Sequence, residues 1–186
     1  MMVFQSVDPM NSKERVLAAL NRELVDRTPV CNPTSVATVE LMDLVDAPFP
    51  EANQQPELMA RLAATGYTEL GFDSVTPYFS IVQESSGLGC EIQWETKDNW
   101  PTVSMTRPLW REPVDVNLPT GFLEHPDSSV VPWSIEILRG EFHDEVASVG
   151  KVVGLSPLAY QPTPIWSAPR PRYHRIGLPL AGPSGK

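Results

Sequence analysis

The stretch that most constrains this chain is Gly71–Trp94, GFDSVTPYFSIVQESSGLGCEIQW. It opens on a glycine and a short mixed run that stops at Pro77. A segment rich in polar and aromatic side chains follows, and Gly87-Leu88-Gly89-Cys90 then leads into the alternation Glu91-Ile92-Gln93-Trp94. Alternation at period two predicts a strand, and the glycines before it predict a turn. The whole stretch reads as a buried strand, a functional loop at its C-terminal end, and a small hairpin. Tyr78, Ser80, Gln83 and Glu84 are the side chains of that loop placed to face a ligand. The competing reading makes them ordinary loop residues bonded to neighbouring backbone.

Upstream, Asn11-Ser12-Lys13-Glu14 supplies a helix start with Ser12 as the cap, and Val16, Ala19, Leu20 and Val25 give the helix an apolar spacing. Asp26-Arg27-Thr28-Pro29 ends it, because the residue before proline is pushed out of helical angles. Val30-Cys31 follows as a short strand with Cys31 packed as a small core residue, and Asn32-Pro33-Thr34 as the loop behind it. Asn32 and Thr34 could face a ligand from there, or form a turn beside Pro33. Val36–Leu44 reads as a helix with Val36, Val39, Leu41 and Met42 inward, broken by Ala47-Pro48-Phe49-Pro50. Pro56–Gly66 reads as a second helix, with proline in its first turn and Gly66 as its stop.

Beyond the central stretch, residues 95–120 read as a hairpin and loop excursion, with Asp98–Pro101 as a turn and Trp100 packed on its rim. His125-Pro126 opens a helix running to Gly140, with Val130, Val131, Trp133, Ile135, Ile137 and Leu138 on its apolar side. Pro132 raises the alternative that the helix starts only there. Residues 146–154, VASVGKVVG, form a buried strand.

Charge divides the chain. The net charge is −9, and every Asp and Glu lies at or before Glu145. Residues 1–154 hold 10 basic and 23 acidic side chains, a balance of −13. Residues 155–186 hold four basic residues, no acid and seven of the 20 prolines. That tail has no helical or strand period and reads as disordered, as does the leader 1–10. The overall acidity argues against a nucleic-acid or anionic-membrane partner. No run approaches the ~20 apolar residues of a membrane helix. The first residues lack a secretory pattern, and Cys31 and Cys90 read as a reduced, cytoplasmic pair, with a disulfide between them as the alternative.

The pieces ERVLAAL, DRTPVCNPTSVATVELMD, LGFDSVTPYFSIVQESSGLGCEI and VGKVVG come in an order and spacing that resemble the uroporphyrinogen decarboxylase superfamily, across residues 10–154. Within it they are most similar to the methylcobamide:coenzyme M methyltransferase branch. The resemblance implies an α/β fold. Residues 11–154 would form the N-terminal part of a (β/α)8 TIM barrel, about its first three strands, where loops after strands carry the chemistry. A complete barrel typically needs about 250 residues. The tail 155–186 then reads as unrelated or frameshifted sequence; a natural short protein with a proline-rich tail is the alternative.

The implied reaction moves a methyl group from a methylated corrinoid protein to a small thiol. The implied cofactors are zinc and a corrinoid, with Asn32, Thr34, Tyr78, Ser80, Gln83 and Glu84 at the substrate mouth. The family's zinc ligands resemble a His-x-Cys pair and a later Cys, and no His-x-Cys occurs here. The chain as given is therefore expected to be inactive and to bind no metal itself. Decarboxylation of a tetrapyrrole is the second reading. It would need arginines where Asn32-Pro33-Thr34-Ser35 stands and an aspartate at Ser80. The third reading is a non-enzymatic fragment that binds a partner, or itself, through an exposed barrel edge.

Overall fold

The computed structural model describes residues 8–32, 36–77, 79, 82–104 and 125–148. The expected loop residues Thr34, Tyr78 and Ser80, residues 105–124, the end of the last strand and the whole tail lie outside the described residues.

Helix α1 spans Ser12–Leu20. Its cap is Asn11 rather than Ser12: the Asn11 side chain accepts from Glu14 N at 2.8 Å, and Glu14 reaches back to Asn11 N at 3.0 Å. Ser12 is released for a distant partner, described below. The helix ends at Leu20 and does not include Val25. Val30 and Cys31 form no strand, and Cys31 is exposed, not packed in the core.

Helix α2 covers Val39–Leu44, starting later than its apolar spacing predicts because Thr38 caps it, accepting from Leu41 N at 3.3 Å. Met42 is buried and Val39 is exposed, so only part of the expected inward set faces the core. Proline punctuation ends this region, with a cis Phe49-Pro50 bond, before the short helix α3, Glu51–Gln54.

Helix α4 runs Pro56–Thr68 and carries the core: Met59, Ala60, Leu62, Ala63 and Ala64 are buried along it. Gly66 is not its stop. It lies within the last turns, where an added Cβ would come 3.3 Å from Val36 Cγ1 and 3.5 Å from Phe72 Cδ2, so its smallness serves packing. The turn out of the helix falls to Gly71, whose φ of +67° favours glycine.

Strand β1, Ser74–Val75, pairs in parallel with β4, Ala147–Ser148, in the register Ser74–Ala147 and Val75–Ser148. Parallel strands need a crossover, and α6, Pro126–Phe142, lies within it. This helix passes straight through Pro132, which stands on its exposed side. The opposite side carries the buried Val130, Val131, Ser134, Leu138 and Phe142 and packs chiefly on α4. Burying that face outweighs the hydrogen bond that proline removes. Trp133, expected inward, is 61% exposed beside it. Between β1 and α6 come a short helix α5, Gln83–Gly87, where a loop was expected, and the antiparallel hairpin of β2, Ile92–Gln93, with β3, Thr102–Val103.

The described core is one cluster gathered from α4, α6, β1 and the segment around Phe49. Tyr67 meets Phe142 edge-on at 5.4 Å between ring centroids, and Phe49 contacts both Phe79 at 5.9 Å and Trp100 at 5.5 Å.

Candidate functional site

Because β1 and β4 are parallel with α6 between them, the C-terminal end of β1 and the start of α6 lie at one end of the sheet. Three described segments meet there. The stretch ending at Asn32 runs beside β1: Asp73 N donates to Val30 O at 2.7 Å, and Thr76 Oγ1 donates to Asn32 O at 3.0 Å. Helix α5 follows directly after β1. The start of α6 is capped by His125, whose Nδ1 accepts from Asp127 N at 3.2 Å. Ser86 of α5 hydrogen-bonds the Asp127 carboxylate, which ties α5 to the first turn of α6. Behind α5, the Gln83 side chain is buried and its Nε2 donates to Asn53 O at 3.2 Å.

Of the residues expected at a ligand, Asn32 stands half-buried at the β1 end, Glu84 stands half-buried on α5, and Gln83 points into the α3–α5 contact. Thr34, Tyr78 and Ser80 lie outside the described residues.

The opposite end of β1 holds a buried ionic cluster that the sequence reading did not identify. Asp73 has no exposure and accepts five hydrogen bonds. They come from Ser12 Oγ at 2.9 Å, Arg15 Nη1 at 2.7 Å, both terminal nitrogens of Arg27 at 2.7 Å, and Val30 N at 2.8 Å. Arg15 also grips Asp26 with two bonds, at 2.6 and 2.7 Å. Burial alone would push the Asp73 carboxyl up. The bonds from Arg27, Val30 N, Ser12 and Arg15 outweigh it and hold the pKa down at about 2. Asp26 is held well below the usual carboxylate range, chiefly by Arg15 and then by Met10 N, and Arg15 is raised in turn, chiefly by Asp26. A carboxylate saturated in this way is a structural anchor with no lone pair left for a metal or a proton transfer. A signal was present: Arg15 stands in ERVLAAL, Asp26-Arg27 in DRTPV and Asp73 in LGFD, so each motif carries one part of the cluster.

Zinc, implied by the resemblance, finds no donor set among the described residues. Among the described residues no three His, Cys, Asp or Glu side chains gather to hold a metal. Cys31 and Cys90 are both free thiols, and burial pushes the Cys90 thiol up, away from the thiolate a metal needs. Among the described residues no helix is long and apolar enough to cross a membrane.

A family profile described as "Uroporphyrinogen decarboxylase (URO-D)" matches residues 11–161. The methylcobamide:CoM methyltransferase MtaA of Methanosarcina barkeri is 35% identical over 147 residues, which are 79% of this chain and 43% of that protein. The methylated-thiol–coenzyme M methyltransferase of Methanosarcina mazei is 35% identical over 136 residues, 73% of this chain and 36% of that protein. A solved structure of a methyltransferase from Methanosarcina mazei superposes with a TM-score of 0.74 at 36% identity, covering 82% of this chain and 45% of that one. The chain thus spans less than half the length of these relatives. With fold and sequence in agreement over residues that include the buried Asp73 cluster, this chain belongs to the uroporphyrinogen decarboxylase (URO-D) family, in its methylcobamide:CoM methyltransferase branch.

Proposed function

We propose that this chain forms one part of a methyltransferase that moves a methyl group from a methylated corrinoid protein to a thiol such as coenzyme M. The observation that carries the reading is the 35% identity to MtaA across 79% of this chain. The superposition on a methyltransferase at a TM-score of 0.74 supports it.

In this reading the chain provides one wall of the substrate mouth. Asn32, Thr34, Tyr78, Ser80 and Glu84 contact corrinoid or thiol there. Gln83 acts from behind, holding α5 against α3 through the Asn53 carbonyl. The Ser86–Asp127 bond holds the same helix to the start of α6. Zinc, when bound in such enzymes, supplies a thiolate by lowering the pKa of the thiol it holds. The described residues do not fit that ion, so no step here runs through it. The residues that hold zinc belong to the part of the fold that the relatives have and this match does not include.

The test is a chimera in which residues 11–148 replace the matching part of MtaA. Loss of methylcobalamin absorbance in the presence of coenzyme M is the readout. Turnover by the chimera, none by the 186-residue chain alone, and a raised KM for methylcobalamin on Glu84→Ala support the reading. A soluble chimera that transfers no methyl group sinks it, and one that decarboxylates uroporphyrinogen favours the tetrapyrrole reading.

A further inference from the structure

A small cavity of about 180 Å³ lies between α2 and the turn of the β2–β3 hairpin. The buried Met42 and Phe49 form its floor, and the exposed Val39 and Trp100 stand at its sides. Phe49 links it to the loop after β1, since its ring meets Trp100 at 5.5 Å and Phe79 at 5.9 Å. The turn is held in shape: Thr96 Oγ1 donates to Asp98 Oδ1 at 2.8 Å, and Asn99 N donates to Thr96 O at 3.1 Å. Lys97 pairs with Asp43 of α2, which ties the hairpin down and occupies the lysine charge. Asp98, in the wall, and Glu40, bonded to the Thr38 hydroxyl beside it, have no cationic partner among the described residues.

An apolar floor, a half-exposed indole and an acidic rim together select a cation carried on an apolar stem. Size narrows the choice. The space falls below the roughly 300–1,000 Å³ of a site for a whole small-molecule ligand, so it takes one side chain and not a corrinoid. We propose that this cavity receives a lysine or arginine side chain of the protein that carries the methylated corrinoid, and so seats that protein beside the mouth. The stem lies on Met42 and Phe49, and the charge meets Trp100 and Asp98. Two observations favour this partner. Phe79, one ring away from the cavity, stands between the expected mouth residues Tyr78 and Ser80. The balance of −13 over residues 1–154 draws a basic surface toward the chain. The choice of partner rests on the methyl-transfer reading; the cation site does not.

The cation site is tested on the full 186-residue chain by titration with N-acetyl-arginine amide and, as the uncharged control, N-acetyl-norvaline amide. The readout is the indole N–H resonance of Trp100, assigned by its loss in Trp100→Phe. The arginine probe should move it with a Kd on the order of millimolar, and the control should not. Asp98→Asn, which keeps an acceptor for Thr96, should weaken the arginine probe several-fold. Equal shifts with both probes, or none with either, overturn the proposal. The partner is tested in the MtaA chimera carrying residues 11–148. Trp100→Leu should raise KM for the protein-borne methylcorrinoid roughly tenfold and leave KM for free methylcobalamin unchanged, with Trp100→Phe recovering part of the loss. Equal effects on the two donors, or none on either, overturn the choice of partner. A chimera inactive with free methylcobalamin as well sinks the reaction reading and this partner with it, while the titration still decides the cation site.

Discussion

Arg15 and Asp73, 58 positions apart in sequence, meet at 2.7 Å in the interior, where the carboxylate has no exposure at all. The pair fastens α1 to the start of β1, and Arg27 and Ser12 close round the same carboxylate. A buried charge costs several kcal/mol to desolvate, so a cluster like this persists only where every lone pair is used.

Removing the anchor should therefore be severe. Asp73→Asn leaves two arginines facing a neutral amide, one of them buried. The expected loss is about 3–5 kcal/mol, the range for breaking one side of a buried pair. A denaturant titration followed by circular dichroism measures it; a loss under about 1 kcal/mol would mean that water already screens the cluster.

The same carboxylates give the fold an acid limit. In the folded state Asp73 sits at about 2 and Asp26 is held well below the usual carboxylate range, against an unfolded value of about 3.9 for aspartate. A depressed folded pKa means that the unfolded chain takes up protons first. The contribution is thus present above about pH 4 and is lost as pH falls toward 2. Unfolding midpoints should drop across that window in the wild type, and the Asp73→Asn variant should show a visibly flatter dependence there.

Leu62 on α4 is completely buried, whereas Leu24 is 63% exposed. Leu62→Ala should cost about 2–5 kcal/mol through lost transfer energy and the cavity left behind. Leu24→Ala in the isolated chain should stay within about 0.5 kcal/mol. Equal effects at the two sites would contradict the assignment of α4 as the centre of the core.

Gly71 touches nothing within 4 Å of where a Cβ would stand, yet its φ is +67°. Any cost of Gly71→Ala is therefore backbone strain alone, about 1 kcal/mol, and Gly71→Asn should recover part of it because asparagine tolerates that region. Thermal unfolding of the two variants side by side decides this; an alanine variant as stable as wild type would place the turn elsewhere.

Much of this architecture is legible along the chain because its signals are local. Pro56 at a first turn, the His125-Pro126 start and the apolar spacing around Met59 and Leu62 each act within one or two helical turns, and α4 and α6 form where those signals stand. The motif order carried the family, and the match over residues 11–161 agrees with it. The alternation around Ile92 likewise becomes a hairpin strand. Tertiary structure decided what local signals leave open. Ser12 surrendered the cap to Asn11 because Asp73, 61 positions away, takes its hydroxyl. Gln83, polar and in a stretch that reads as a loop, turned inward on a short helix because Asn53 offers a buried carbonyl. Trp133 stayed outside because α6 presents a different face to α4. Each outcome depends on a partner tens of residues distant. A periodicity read over a few turns contains no information about which distant groups chain folding will bring within 3 Å.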